Sequence, residues 1–340
     1  MVSACIAIQE HTDAGEARRV AAAFASDLSF DETSAGNLAL VVTEAAKNVL
    51  KHGGGGQVIL RILESGGSAG IEMLALDKGP GIADLRRCFQ DGYSTAGTSG
   101  TGLGAIARLS SVYEIYSRPD QGTVLMAQVW KRGPTGGAPV PQPRFRVGGV
   151  SVPVRGEQEC GDSWIFQESA RAVRLTVADG LGHGPLAAQA ALAAIRTARE
   201  ELNESAPGLL ERIHGALRAT RGAAVAVAEI DLSAQVLRFA GVGNIGAAIV
   251  AESGPVRHLV SHPGTAGHEV RKISEFTSPW SSRSLLVMHS DGLQTRWSFD
   301  SYPGLLERHP SLIAGVLYRD YTRGRDDVTV VAAREAIPEL

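Results

Sequence analysis

Cysteine is scarce in this chain of 340 residues: Cys5, Cys88 and Cys160 are all there is. Three widely spaced thiols form neither a disulfide framework nor a Cys-x-x-Cys metal pair, so they read as ordinary thiols. Long apolar runs are missing too, and none approaches the roughly 18 residues that a membrane-spanning helix needs. The opening residues, Met-Val-Ser-Ala-Cys-Ile-Ala-Ile, lack the basic stretch of a secretory signal, so a cytoplasmic location without a membrane partner is expected. Neither sign of charge is in excess: Lys and Arg number 33 against 36 Asp and Glu, a formal net charge of −3. That balance argues against a nucleic-acid partner, which would call for a basic surface. Gly-Lys-Ser/Thr does not occur, and the glycine-rich loop over residues 97–104 lacks the G-x-G-x-x-G spacing, so this loop is neither a Walker A loop nor a Rossmann fingerprint.

What is present is a 44% hydrophobic chain with a mean hydropathy of zero, the balance of soluble globular domains with ample core. The length predicts two domains. The boundary falls at residues 133–143, Gly-Pro-Thr-Gly-Gly-Ala-Pro-Val-Pro-Gln-Pro, a stretch too rich in Gly and Pro for periodic structure and expected to be a semi-rigid linker. No fixed-period repeat links the two sides, so residues 1–132 and 144–340 are read as different domains.

In the first domain, apolar residues at helical spacing predict helices over 16–28 and 34–52. On the second helix Glu44 and Asn48 stand four apart and share one face. That face is either a solvated stripe or a ligand site. Strands follow at 57–63 and 71–76, and the second runs into Asp77-Lys78-Gly79-Pro80-Gly81, a carboxylate followed by two glycines that allow close ligand approach. A glycine-rich loop over 97–104 then enters a helix over 103–109, a place where backbone N–H groups favour phosphate.

Taken together and in this order, across residues 10–130, these motifs resemble the GHKL (Bergerat) ATP-binding fold, an α/β sandwich, in its anti-sigma-factor serine-kinase form. The resemblance implies that Asn48 holds Mg²⁺, that Asp77 accepts the adenine amino proton, with Gly79 and Gly81 beside it, and that Gly100, Thr101, Gly102, Leu103 and Gly104 form the hinge contacting the phosphates. Glu44 is the implied base of a kinase. Sensor histidine kinases share the fold but need a phosphorylatable His on a preceding helical hairpin, and His11 has about ten residues ahead of it, too few for one.

In the second domain, strands are expected at 146–152, 163–167, 173–178, 223–230, 236–240, 247–250, 284–289 and 328–332, with two helices before residue 220. Four aspartates flank these runs. Asp179 ends the apolar run 173–178 in Asp-Gly-Leu-Gly-His-Gly, ahead of Pro185 and an Ala-rich helix. Asp162 precedes the strand at 163, Asp291 follows the strand at 284–289 in Ser-Asp-Gly, and Asp326 and Asp327 precede Val328. Singly, each is also an ordinary turn or cap aspartate, because Asp-Gly is a common turn signal.

The ordered set Gly-Asp, Asp-Gly-x-Gly-His-Gly, Ser-Asp-Gly and Asp-Asp-x-Thr resembles the SpoIIE-type branch of the PP2C metal-dependent serine/threonine phosphatases. The resemblance implies an αββα sandwich with a site for two Mn²⁺ or Mg²⁺ ions. Its ligands would be Asp162, the Asp179 carboxylate, the Gly180 carbonyl, Asp291 and Asp326, with Asp327 standing where the family has Asn. The larger phosphatases of the family have His immediately after Asp-Gly. Here that position is Leu181 and His183 is displaced by two, so a structural part is expected of His183.

Joined to a serine-kinase-like domain, such a phosphatase resembles the regulators of partner-switching pathways. The implied partner is a STAS-domain protein that is phosphorylated on Ser or Thr to break one complex and dephosphorylated to restore it. A second reading stays open: the N-terminal domain binds a STAS protein or a sigma factor under nucleotide control and transfers no phosphate.

Overall fold

The computed structural model describes residues 3–65, 67–84, 102–132, 143–169, 172–251 and 256–336. Gly100, Thr101, Cys88 and the linker residues 133–142 lie outside the described residues. The chain divides into two compact units, Val2–Pro143 with Glu307–Arg319, and Arg144–Leu306 with Asp320–Leu340.

The N-terminal unit is built from β1 (Ser3–Ile8), α1 (His11–Asp27), α2 (Glu32–Gly53), β2 (Gly56–Ser65), β3 (Ser68–Asp77), α3 (Gly102–Leu109), β4 (Val112–Ser117) and β5 (Thr123–Trp130). The strands form one antiparallel sheet in the order β1-β2-β3-β5-β4. α2 shows how local chemistry sets the frame. Asp31 caps its start by accepting from the Ser34 amide at 3.0 Å, and hydrogen bonds from Ser34 pull the Asp31 carboxyl down to about 2. Gly54, in the left-handed region at φ 69°, ends the helix, as glycine does most cheaply. Leu38, Val41, Val42, Ala45, Ala46 and Val49 form its buried stripe and pack on Val58, Leu60, Met73 and Ala75 of the sheet.

β3 has apolar side chains on both faces, so both faces are covered. Met73 and Ala75 face the helices. On the opposite face, Leu74, Leu76 and Val124 approach Gly315. Gly315 belongs to the piece Glu307–Arg319, which packs with this unit.

The second unit contains β6 (Phe145–Val152), β7 (Asp162–Glu168), β8 (Ala172–Gly180), α4 (Pro185–Glu200), α5 (Ala206–Ala216), β9 (Ala223–Asp231), β10 (Val236–Val242), β11 (Gly246–Val250), β12 (Arg257–Leu259), β13 (Gly264–Thr265), β14 (Glu269–Val270), β15 (Phe276–Pro279), β16 (Leu285–His289) and β17 (Val328–Glu335). Two five-stranded sheets result, β15-β10-β9-β8-β7 and β12-β11-β16-β17-β6. Alternation along the strands fills two different spaces, as the period of two requires. Ala226 and Ala228 of β9 face the second sheet in a core with Leu175, Phe239, Leu286, Met288 and Val331. Val225 and Val227 face α4 and α5 and meet Ala191, Ala194, Leu209 and Ile213.

The remaining helix, α6 (Pro310–Tyr321), is buried along its whole length from Pro310 to Arg319. Its contacts group residues up to Arg319 with the N-terminal unit. Ser311 Oγ donates to Glu72 Oε2 at 2.7 Å and Tyr318 Oη to Gln57 Oε1 at 2.8 Å, so a short segment of the C-terminal half completes the polar network under the N-terminal sheet. Glu72 also takes Arg61 as an ion pair at 2.7 Å and Gln128 Nε2 at 2.8 Å.

Candidate functional site

The acidic site is organised by the pairing of β7 and β8. Asp162 and Asp179 are direct cross-strand partners, one the first residue of its strand and the other the last but one. Asp291 lies two residues beyond the end of β16 and Asp326 two residues before β17, and those strands pair with each other in the second sheet. Both sheets therefore deliver carboxylates by ending in aspartate-bearing turns.

The carboxylates act on one another. Burial is the first cause that pushes Asp179 up, followed by the charges of Asp162, Asp291 and Asp326. Asp162 is raised mainly by burial, against a hydrogen bond from Ser290, and Asp291 by burial and by Asp326. Burial and the neighbouring charges thus act in the same direction on Asp162, Asp179 and Asp291, against the ionised form, because like charges in a partly desolvated site oppose one another.

Neighbouring side chains fix the positions. Ser290 Oγ donates to Asp162 Oδ2 at 2.6 Å and accepts from the Thr329 amide at 2.9 Å. Asn244 Nδ2 donates to Asp291 Oδ2 at 2.7 Å. Trp297 Nε1 donates to His289 Nε2 at 3.2 Å, which leaves the His289 proton on Nδ1, 2.9 Å from the Ser290 carbonyl. Asp327 has both oxygens engaged, accepting from the Val154 and Gly161 amides at 2.7 Å each. Asp326 Oδ1 accepts the Asp327 amide at 2.9 Å. His183 lies 2.8 Å from Glu157 Oε1 at the exposed rim. Gly180 is required by packing: a Cβ there would stand 2.1 Å from the Ala187 carbonyl oxygen at the start of α4. Ser290, Asn244, His289 and Trp297 were not singled out by sequence. For Asn244 the available signal was Gly-Val-Gly-Asn-Ile-Gly between two strands.

Among the described residues no three or more His, Cys, Asp or Glu side chains converge as a ready-made ion cage. The donor set still fits a hard cation. Mg²⁺ demands oxygen ligands, keeps several waters and is held by one or two protein carboxylates rather than by a full cage. Carboxylates raised by crowding and burial supply that charge.

In the N-terminal unit, Glu44 and Asn48 face Gly102 at the start of α3. A Cβ built on Gly102 would stand 3.4 Å from Glu44 Oε2 and 3.5 Å from Asn48 Oδ1. Asn48 Nδ2 is buried without a partner among the described residues, a cost that a bound ligand would relieve. Glu44 Oε1 pairs with Lys47 at 2.9 Å. Asp77 Oδ1 accepts from the Gly79 amide at 2.9 Å and the Thr123 amide at 3.2 Å, leaving Oδ2 without a partner among the described residues. Burial is the first cause raising the Asp77 carboxyl. The Asp77 turn abuts the end of α2, since a Cβ on Gly53 would meet Asp77 Cβ at 2.4 Å. With a rise of about 1.5 Å per residue, Asn48 lies about 7.5 Å and Glu44 about 13.5 Å up the helix from Gly53. Leu103 packs against the core and Gly104 is buried.

An N-terminal sandwich with a glycine-flanked carboxylate and a C-terminal pair of packed sheets with aspartates at their ends define a two-domain ATPase-fold and PP2C-type phosphatase protein. Residues 9–128 match the histidine kinase-like ATPase domain, and residues 169–335 match the stage II sporulation protein E (SpoIIE) domain. Two proteins of Bacillus subtilis (strain 168) are similar to parts of the chain. The serine/threonine-protein kinase RsbT is 31% identical over 128 residues, 38% of this chain and 96% of RsbT. The phosphoserine phosphatase RsbX is 26% identical over 138 residues, 41% of this chain and 69% of RsbX. Among solved structures, one from work on the bacterial stressosome is 28% identical, covers 56% of this chain and all of its own, and has a TM-score of 0.53. The phosphatase domain of Bacillus subtilis SpoIIE with a fragment of its regulatory domain, 19% identical with 82% of each chain covered and a TM-score of 0.50, shares the fold. The chain belongs to the histidine kinase-like ATPase family through its N-terminal domain and carries a SpoIIE-type PP2C serine/threonine phosphatase domain after it. Among the described residues no helix is long and apolar enough to cross a membrane.

Proposed function

We propose that the chain is a metal-dependent phosphoserine/phosphothreonine protein phosphatase whose N-terminal domain binds ATP with Mg²⁺, and that it acts in a partner-switching pathway on a STAS-domain protein. The observation that supports this most is the mutual electrostatic reach of four aspartates from two sheets, with Asp162 and Asp179 directly opposed. Asp162, Asp179, the Gly180 carbonyl, Asp291 and Asp326 would hold two Mn²⁺ or Mg²⁺ ions. Bound there, the ions supply a water of lowered pKa, aimed in line, and offset charge on the phosphoryl oxygens. The chain's own residues keep the carboxylates in place: Ser290 orients Asp162, Asn244 orients Asp291, and Asp327 spends both oxygens on the Val154 and Gly161 amides. No side-chain nucleophile is required.

In the N-terminal unit the unpartnered oxygen of Asp77 suits an exocyclic amine, because an ionised carboxylate only accepts. Asn48 and Gly102 mark the phosphate end, and Glu44 is the base of a kinase. The similarity to a serine/threonine kinase and to a phosphoserine phosphatase at the two ends of one chain supports opposed activities on one substrate. One observation favours the second reading, a nucleotide-gated binding module for a STAS protein or sigma factor: Glu44 Oε1 is occupied by Lys47. The deciding experiment incubates the full chain with ATP, Mg²⁺ or Mn²⁺ and candidate STAS proteins and follows phosphate onto and off them. Transfer in neither direction overturns the proposal.

A further inference from the structure

His289 is a buried histidine two residues before Asp291, 4% exposed, at a position where the chemistry of the cations does not call for an imidazole. It is the last residue of β16 and the cross-strand partner of Gly246 at the start of β11. Leu286 and Met288 face the core between the sheets, so strand alternation turns His289 the other way. Its ring lies over Gly246, where a Cβ would stand 2.4 Å from both Cε1 and Nε2. Beyond Asp291 the chain brings Trp297, also buried, against the ring: the indole Nε1 lies 3.2 Å from His289 Nε2 and the two planes meet at 77°. An indole N–H only donates, so His289 Nε2 accepts and the proton sits on Nδ1. From there it is donated to the Ser290 carbonyl oxygen at 2.9 Å. The same oxygen accepts the Leu293 amide at 3.3 Å, closing a turn over 290–293 with Asp291 and Gly292 at its centre. The turn is seated closely, since a Cβ on Gly292 would stand 2.0 Å from the Asp327 carbonyl oxygen. Ser290 is held by its amide, which donates to the Thr329 carbonyl at 3.0 Å, and its hydroxyl donates to Asp162 Oδ2 at 2.6 Å.

We propose that His289 and Trp297 are positioning residues of the phosphatase site: the indole N–H fixes the histidine as its Nδ1–H tautomer, and that Nδ1–H holds the turn that aims the Asp291 carboxylate at the cations and the Ser290 hydroxyl at Asp162. One carbonyl oxygen thereby ties the aspartate-bearing turn of the second sheet to the carboxylate that opens β7 in the first. A neutral imidazole suits the task because it is a rigid ring with one donor and one acceptor, and the bond made at one nitrogen decides what the other can do. Both residues act through the Ser290 carbonyl and exchange no proton.

The proposal rests on the phosphatase reading, and separate readouts on the full chain distinguish their failures. The first needs neither metal nor turnover. Nitrogen NMR of metal-free protein labelled at histidine should show His289 as the neutral Nδ1–H tautomer in the wild type, and as a mixture of tautomers in Trp297→Phe, which keeps a ring and removes the donor. The second readout is Mn²⁺ affinity by calorimetry, and the third is kcat and KM on a phosphoserine peptide. Changing a group that orients a metal ligand typically costs about 10- to 100-fold in metal affinity or activity. His289→Gln should therefore weaken Mn²⁺ binding by about that factor and lower kcat, with KM near the wild-type value. Trp297→Phe loses one neutral hydrogen bond, worth about two- to tenfold. His289→Asn should recover part of the loss, because its carboxamide N–H stands where the ring carries Nδ1–H, whereas the longer side chain of His289→Gln reaches the Nε2 position. Packing alone would rank the larger replacement higher. An Nε2–H tautomer in the wild type overturns the proposal. So does wild-type Mn²⁺ affinity in both His289→Gln and Trp297→Phe, or His289→Gln binding Mn²⁺ as tightly as His289→Asn, whatever the melting temperatures. Weakened Mn²⁺ binding in these variants of a chain that cleaves no phosphopeptide upholds the two positioning residues and overturns the phosphatase reading.

Discussion

Asp162 stands directly opposite Asp179 across β7 and β8, so two carboxylates occupy a cross-strand position where like charges destabilise a sheet. The pair is an expense the fold tolerates for the sake of a cation. In metal-free protein, Asp179→Asn should therefore raise the melting temperature, by about 2 °C or more for each kcal/mol of relief. The same variant should lose most of the stabilisation that Mn²⁺ gives the wild type by mass action. Thermal melts with and without Mn²⁺ check both. A metal-free Asp179→Asn protein less stable than wild type would show that the pair is structural.

Nucleotide binding is best read on the full chain, because Glu307–Arg319 packs with the N-terminal unit and residues 1–132 would lack it. ATP or ADP should raise the melting temperature, and Asp77→Asn should abolish the rise. The amide loses the charge that assists the hydrogen bond to the amine. Unchanged nucleotide affinity in Asp77→Asn removes that residue from the site.

Glu44 separates kinase from binding module. Glu44→Gln keeps the shape and removes the base, so phosphoryl transfer should fall about 10²- to 10⁴-fold while ATP still binds. The assay belongs in an Asp179→Asn background, where the chain's own phosphatase cannot erase the product. Absence of transfer with Glu44 intact leaves the nucleotide-gated binding reading.

Glu72 predicts an acid dependence. Burial works to raise its carboxyl, but Arg61, His309 and hydrogen bonds from Gln128 and Ser311 outweigh it and hold the group below its ordinary value. A carboxyl lowered in the folded state adds stability that is present above its unfolded pKa of about 4.3 and lost as the pH falls through the folded value. Ser311→Ala removes one donor from a buried charge and should cost about 1 to 3 kcal/mol near neutrality. Denaturant melts across pH 3 to 7 should also show a flatter acid limb in Glu72→Gln than in wild type.

Much of this was legible in the residues. The helix expected over 34–52 is α2 at Glu32–Gly53, and the strand expected over 173–178 is β8 at Ala172–Gly180, because an apolar stripe and an apolar run bounded by turns are direct signals. β4 and β5 were not assigned, although Val-Tyr-Glu-Ile-Tyr-Ser alternates clearly. α6 was missed for a physical reason: Pro310 to Arg319 is buried on every side, so it has no polar face to generate a helical period. The aspartates announced themselves by flanking strands. Asn244 did not, because a single polar residue in a turn has no periodicity and only the fold reveals that it touches Asp291. The choice of Asp326 over Asp327 came from the resemblance, in which Asp327 stands where the family has Asn, and the structure adds that both oxygens of Asp327 accept from backbone amides.

The central claim is metal-dependent removal of phosphate from serine or threonine by the aspartate cluster. Its most direct test is the rate at which the full chain releases phosphate from a phosphoserine-bearing STAS protein, with Mn²⁺ present, after the metal is stripped, and in Asp291→Asn. The account predicts hydrolysis with Mn²⁺, its collapse on stripping and recovery on re-addition, and a comparable collapse in a folded Asp291→Asn protein. Near-normal rates in stripped protein or in Asp291→Asn would contradict it.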